Sequence, residues 1–141
     1  MKEFHVYIDE NLPPQIDKGL NLQQLPLNSK ENIDIHVHSI KEEFGQGAPD
    51  ETWIPQIGKA KGIVITQDYR IQTLKHQREL YKANGVGIFF FSPPSKMGFG
   101  YWEMVKQIIS KWEMMKAIFR KEKTPFAYRS SARTNFERLN D

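Results

Sequence analysis

With 141 residues and a mass of 16.5 kDa, the chain has the size of one domain and little room for two. The 39% apolar and 26% charged residues provide for one core and exclude wholesale disorder. A net charge of +3 suits a polyanionic partner without demonstrating one, and the lack of cysteine excludes disulfides, thiol catalysis and zinc–thiolate sites. The start, Met1-Lys2-Glu3-Phe4-His5, is no signal peptide, and no stretch approaches the roughly 18 apolar residues of a membrane span. The expectation is a cytoplasmic protein.

The apolar run Phe4 to Ile8 predicts a first strand ending at Asp9-Glu10-Asn11. Leu12-Pro13-Pro14 opens a helix to about Leu20, since proline is tolerated in a first turn, and Asn21 to Asn32 has the character of a polar connection. Ile33 to Ile40 alternates apolar and polar residues, the pattern of a half-exposed strand. After the glycine loop Phe44 to Pro49, a helix starting at Pro49 or Asp50 carries Trp53, Ile54, Ile57 and Ala60 on one face. The β-branched run Ile63-Val64-Ile65-Thr66 predicts a strand buried on both faces, ending at Gln67-Asp68. A helix to about Ala83 follows, with Asn84-Gly85 as a left-handed cap, then a core strand from Val86 to Phe91. From about Tyr101, the spacing of Trp102, Val105, Ile109, Trp112, Met115 and Phe119 predicts an amphipathic helix covering the core. Past Arg120 the pattern is lost. Residues 1–120 are therefore expected to form the domain, and 121–141 a basic tail, either disordered or ordered on a partner. Strands alternating with helices predict an α/β fold with a mostly parallel sheet.

Three acids stand out by position. Asp9 and Asp68 lie at the carboxyl ends of the first and third strands, where open α/β sheets form their sites, and Asp50 begins the intervening helix. If those two strands are neighbours, the carboxylates converge. Clustered carboxylates call for a divalent cation. A hard ion such as Mg²⁺ takes oxygen ligands, and can activate water and stabilise the leaving oxygen of a phosphodiester. Asp50 is equally explained as a helix N-cap, and Glu10 as a solvated or supporting group. His36 and His38 share a strand face, but the sequence offers no obvious third nitrogen ligand, while His5 and His76 stand without a constellation.

Ile8-Asp9-Glu10-Asn11-Leu12-Pro13 resembles the "DENLP" opening of toxin-type PIN-like domains. The block Gly62-Ile63-Val64-Ile65-Thr66-Gln67-Asp68, with Tyr69 after it, resembles their second motif. The resemblance spans roughly residues 4 to 91. It implies a three-layer α/β/α sandwich and a Mg²⁺- or Mn²⁺-dependent ribonuclease, cytoplasmic and often paired with an antitoxin. Asp9, Asp68 and Asp50 then carry over as catalytic metal ligands, with Glu10 and Thr66 in support. Arg70, Lys75 and Arg78 are expected either to meet RNA phosphates or to form a solvated helix face. A homodimer is compatible with this reading. A fourth acid is not evident after Asp68, so a PIN-like module that binds RNA or protein without cleaving is the alternative. A phosphoacceptor receiver domain fits poorly, because no aspartate precedes Thr66 on the strand where the acceptor would stand.

Overall fold

The structure, a computed structural model, describes residues 1–67, 71–95 and 97–139, with the backbone alone for 71–74. Asp68 and Arg70 therefore lie outside the described residues. The strands are β1 (Lys2–Ile8), β2 (Ile33–Ser39), β3 (Ile63–Gln67), β4 (Gly87–Ser92), β5 (Phe126–Ser131) and β6 (Glu137–Arg138). The helices are α1 (Ile16–Glu31), α2 (Ile40–Phe44), α3 (Asp50–Lys59), α4 (Ile71–Ala83) and α5 (Tyr101–Lys121). The sheet runs β2-β1-β3-β4-β5-β6, parallel throughout except for β6.

Two apolar clusters flank this sheet, as expected of an α/β/α sandwich. On one face Phe4, Val6, Ile8, Ile33, Ile35, Val37, Phe89 and Phe91 meet α1 and α5 through Leu20, Met104, Ile108, Met115 and Phe119. On the other, Tyr7, Val64, Ile88 and Phe90 meet Trp53, Ile54 and Ile57 of α3 and Tyr81 of α4. Every residue of β3 is buried, as its β-branched run predicts, and β2 buries Ile33, Ile35 and Val37 alone. Gly85 adopts φ +75° after α4, the left-handed turn that Asn84-Gly85 foretells.

Three elements depart from the sequence pattern. First, α1 begins at Ile16 and runs through Asn21 to Glu31, where a polar connection was expected. Its inward positions include Asp17, Gln24 and Asn28, so apolar periodicity is absent although the face is buried. The Asn21 amide bonds both the N–H and the C=O of Val37 on the edge strand, at 2.8 and 2.7 Å. Gln24 Oε1 accepts from Trp112 Nε1 at 3.1 Å and Lys116 Nζ at 3.0 Å. Pro26 is tolerated inside the helix because it lies on the solvent side. Second, α5 buries the expected Trp112, Met115 and Phe119, but its inward face is displaced in the first half of the helix. Met104, Ile108, Trp112, Met115 and Phe119 are buried, whereas Trp102 and Ile109 are exposed, and Gln107, Lys111 and Lys116 occupy buried positions. Third, residues 121–139 are no detached tail. β5 extends the sheet beside β4, and Phe126 and Phe136 pack on Phe89 at centroid distances of 5.4 and 5.0 Å. β5 mixes Phe126, Tyr128 and Arg129 without clean alternation, which hides it from periodicity.

Lys116 is buried, with its ammonium 2.9 Å from Glu31 and 2.8 Å from the exposed Glu113. Lys116 holds the Glu31 carboxyl below its ordinary pKa, with further help from Gln24 and Arg120. That contribution is present above the ordinary carboxylate pKa and is lost as pH falls through the depressed value. Glu31 is partly exposed and Lys116 keeps Gln24 and Glu113, so Glu31→Ala is expected to cost about 1.5 kcal/mol in urea unfolding at pH 7. A loss below about 0.5 kcal/mol would show that Glu113 and Gln24 satisfy Lys116 unaided. No helix among the described residues is long and apolar enough to cross a membrane.

Candidate active site

The order β2-β1-β3-β4 places a topological switch point between β1 and β3, at the carboxyl ends of both strands. Val6, Tyr7 and Ile8 pair with Ile63, Val64 and Ile65, so the condition for Asp9 to face the end of β3 is met. Asp9 N–H continues the ladder to Ile65 O at 3.0 Å.

The Asp9 carboxylate is held at both oxygens. Oδ2 accepts from Thr66 Oγ1 at 2.6 Å, and Oδ1 accepts from the Glu10 N–H at 2.7 Å. Thr66 is itself buried. Asn11 and Gln67 lock the two strand ends together. Asn11 Nδ2 donates to Gln67 O at 3.3 Å, and Gln67 Nε2 donates to Asn11 O at 2.9 Å. Gln67 Oε1 also accepts from Phe99 N–H at 3.2 Å, tying the start of the α5 segment to this edge. Asn11, Gln67 and Phe99 were not singled out by sequence. Only the "DEN" spacing hinted at Asn11.

Burial pushes the Asp9 pKa up, opposed by the Thr66 hydroxyl and the Glu10 N–H, while the charges of Asp50 and Glu10 add to the rise. Asp50 is raised as well, first by burial and then by Glu51, with His76 acting against it. Asp50 is the first residue of α3, and the N-cap position belongs to Pro49, which makes no side-chain capping bond. The structure thus brings Asp50 into electrostatic range of Asp9. It also gives His76 a surrounding that its sequence context did not show.

Glu10 turns elsewhere. Both its oxygens lie 3.1–3.2 Å from Gly47 N, so it anchors the glycine loop leading to α3. That approach uses Gly47 at φ +70°, a conformation glycine adopts without strain. Tyr81, buried beneath the site, has its phenol pKa raised well above normal by burial, then by Asp9 and Asp50. The phenol stays protonated, a donor within the field of both carboxylates. A cavity of about 330 Å³ opens beside Asp9, lined in part by Glu10, Pro13, Pro14, Lys41 and Gln46.

Among the described residues, the expected basic positions differ in their surroundings. Lys75 is exposed on α4, whereas Arg78 lines a separate cavity of about 220 Å³ with Tyr81, Lys82 and Arg138. Among the described residues, Asp9, Glu10 and Asp50 do not form a ready three-carboxylate cluster. The donor set that is present, the half-buried Asp9 carboxylate with the charge of Asp50 acting on it, suits a hard divalent cation.

No curated protein and no solved structure is significantly similar to this sequence. The sequence profile of the PIN-like domain family, however, matches residues 4–93, from the start of β1 to just beyond β4. That stretch is most of the sheet together with Asp9, Asp50 and Thr66, and the chain belongs to the PIN-like domain family.

Proposed function

We propose that the protein is a divalent-metal-dependent endoribonuclease, acting as the toxin of a toxin–antitoxin pair. The observation that carries this reading is the Asp9 carboxylate. It sits half-buried at the switch point, fixed by Thr66 and the Glu10 N–H, and opposed by the charge of Asp50. Nothing in the apolar packing requires an acid there. Asp9 and Asp50 would hold Mg²⁺ or Mn²⁺, with Asp68 as the third ligand. When bound, the cation would supply Lewis-acid stabilisation of the phosphodiester and activation of water.

The chain's own groups have separate tasks. Thr66 donates to Asp9 and so keeps its free lone pairs aimed outward, while Glu10 sets the loop that presents Asp50. Exposed Tyr101 and Trp102 form an aromatic pair, centroids 5.2 Å apart, and the Tyr101 hydroxyl donates to Pro14 O at 3.4 Å on the rim of the Asp9 cavity. Such rings stack on unpaired bases, which favours single-stranded RNA. Lys75, with Arg70, is the place to seek phosphate contacts, and Arg78 the less favoured. The toxin role, with an antitoxin protein as partner in the cytoplasm, rests on the "DENLP"-like opening.

The test is cleavage of a mixed RNA pool with Mg²⁺ or Mn²⁺ by the full chain. Cleavage that requires the metal and stops with EDTA is expected. A folded protein that binds RNA without cleaving it under either metal would favour the binding-module reading.

A further inference from the structure

At the opposite end of β1, on the face that carries Tyr7, three imidazoles stack across the β1–β2 pair. Parallel pairing sets Glu3, His5 and Tyr7 in register with Asp34, His36 and His38, and alternate residues of each strand share this face. The His5 ring lies 5.2 Å from His36 and 5.1 Å from His38, with interplanar angles of 15° and 19°. Tyr7 continues the stack 4.7 Å from His38. His5 thus supplies the third nitrogen donor that the sequence spacing of His36 and His38 lacked.

Carboxylates surround the rings. Glu3 Oε1 is 2.5 Å from His5 Nε2, and Asp34 Oδ2 is 3.0 Å from His36 Nε2. One ligand atom each from Glu3, Asp34 and His36 lie within 4.8 Å of one another. Behind His5 runs a supporting line, with His5 Nδ1 2.9 Å from His38 Nε2, and His38 Nδ1 2.7 Å from Glu43 Oε1.

The line Glu43–His38–His5–Glu3 contains three contacts of hydrogen-bond length, whereas two neutral imidazoles bring only two N–H protons. It closes only if a positive charge occupies one position. A metal ion on His5 Nε2 fills that position with both rings neutral. His5 then donates to His38 and His38 to Glu43, the outer hydrogen bonding that orients metal-binding histidines. We propose that Glu3, His5, Asp34 and His36 form a site for a divalent transition metal of the Zn²⁺ type, clamping β1 to the edge strand β2. Mixed imidazole and carboxylate donors suit Zn²⁺ better than the hard ions favoured by carboxylates alone. Ligands about 2 Å from a tetrahedral ion sit about 3.3 Å apart; Glu3, Asp34 and His36 lie within 4.8 Å of one another, His5 joins them through Glu3 at 2.5 Å, and all four side chains are at least partly exposed. The site is independent of the nuclease reading. Glu3 and Asp9 are six residues apart on one extended strand, about 20 Å.

The test is calorimetric titration of the full, metal-stripped chain with ZnCl₂ alone, followed by X-ray absorption at the zinc edge. One Zn²⁺ per chain with a Kd of about 10 µM or below is expected, with nitrogen and oxygen ligands and imidazole scattering. His36→Ala and His5→Ala should each weaken binding at least tenfold and Glu3→Gln should also weaken it, and the same losses should appear in an Asp9→Asn background, which removes any zinc held at the β1–β3 edge. Circular dichroism checks that each variant is folded. Should wild type bind no Zn²⁺ at 100 µM, should both histidine variants bind as wild type does, or should Asp9→Asn alone abolish binding, the proposal is overturned.

Discussion

Asp9→Asn lowers metal-stimulated RNA cleavage by at least about 10²-fold, close to 2.7 kcal/mol of transition-state stabilisation, and raises the melting temperature of the metal-free protein. Both effects have one origin. Burial is the largest cause of the raised Asp9 pKa, and the neighbouring charges of Asp50 and Glu10 act in the same direction. A carboxyl whose folded pKa exceeds its unfolded value binds more protons in the native state between the two. Its favourable contribution is therefore complete below the unfolded value and disappears as pH rises through the folded one. At neutral pH the metal-free protein carries the whole penalty, and a neutral amide removes it, keeping one acceptor for Thr66 and giving up the smaller bond from the Glu10 N–H. A cation reverses the balance for wild type only, so Mn²⁺ should raise the wild-type melting temperature and leave Asp9→Asn where it was. Thermal scans from pH 4 to pH 8, with and without Mn²⁺, check both signs. Equal melting of the two proteins at every pH would mean that Asp9 is ordinary solvated surface.

A chain ending at Lys121 is expected to be insoluble or to show no cooperative melt. The deletion uncovers the β4 edge, which pairs with β5 from Gly87 to Ser92, and strips Phe126 and Phe136 from Phe89. It also removes the Ser131 and Thr134 carbonyls that accept from Lys111 Nζ at 2.6 and 3.0 Å. Truncating one core aromatic costs about 3–5 kcal/mol, and a domain has only about 5–15 kcal/mol in total. The milder Phe126→Ala should remain folded and lose about 3–4 kcal/mol in urea unfolding. Recovery of residues 1–121 as a soluble protein with wild-type melting would return the segment to the detached tail that its composition suggests.

Legibility followed the physical source of each element. β1, β3 and β4 form the buried middle of the sheet, so apolar runs such as Ile63-Val64-Ile65 and Gly87-Ile88-Phe89-Phe90-Phe91 reveal them directly. α1 was half hidden because it buries amides and Asp17, whose value lies in the partners Trp112, Lys116 and Val37, remote in sequence. The inward face of α5 is legible at Trp112, Met115 and Phe119 but not at Met104 and Ile108, because Gln107, Lys111 and Lys116 are buried where a pattern of apolar residues assigns them to solvent. Strand-end position singles out Asp9, and the family resemblance points to Thr66, whose hydroxyl bonds the Asp9 carboxylate. The turning of Glu10 toward Gly47, the approach of Tyr81 and the union of His5 with His36 and His38 depend on strand order and helix packing, which no local spacing encodes.

The central claim, that the β1–β3 switch point holds a hard divalent cation, is tested most directly by titrating ¹⁵N-labelled protein with MnCl₂ and following paramagnetic broadening. Amide signals of Asp9, Glu10, Asp50, Glu51 and Thr66 should broaden first, before those of Glu3, Asp34 and His36. Broadening confined to the histidine cluster, or none near Asp9 at millimolar Mn²⁺, would contradict the account and leave the Asp9 edge without its metal.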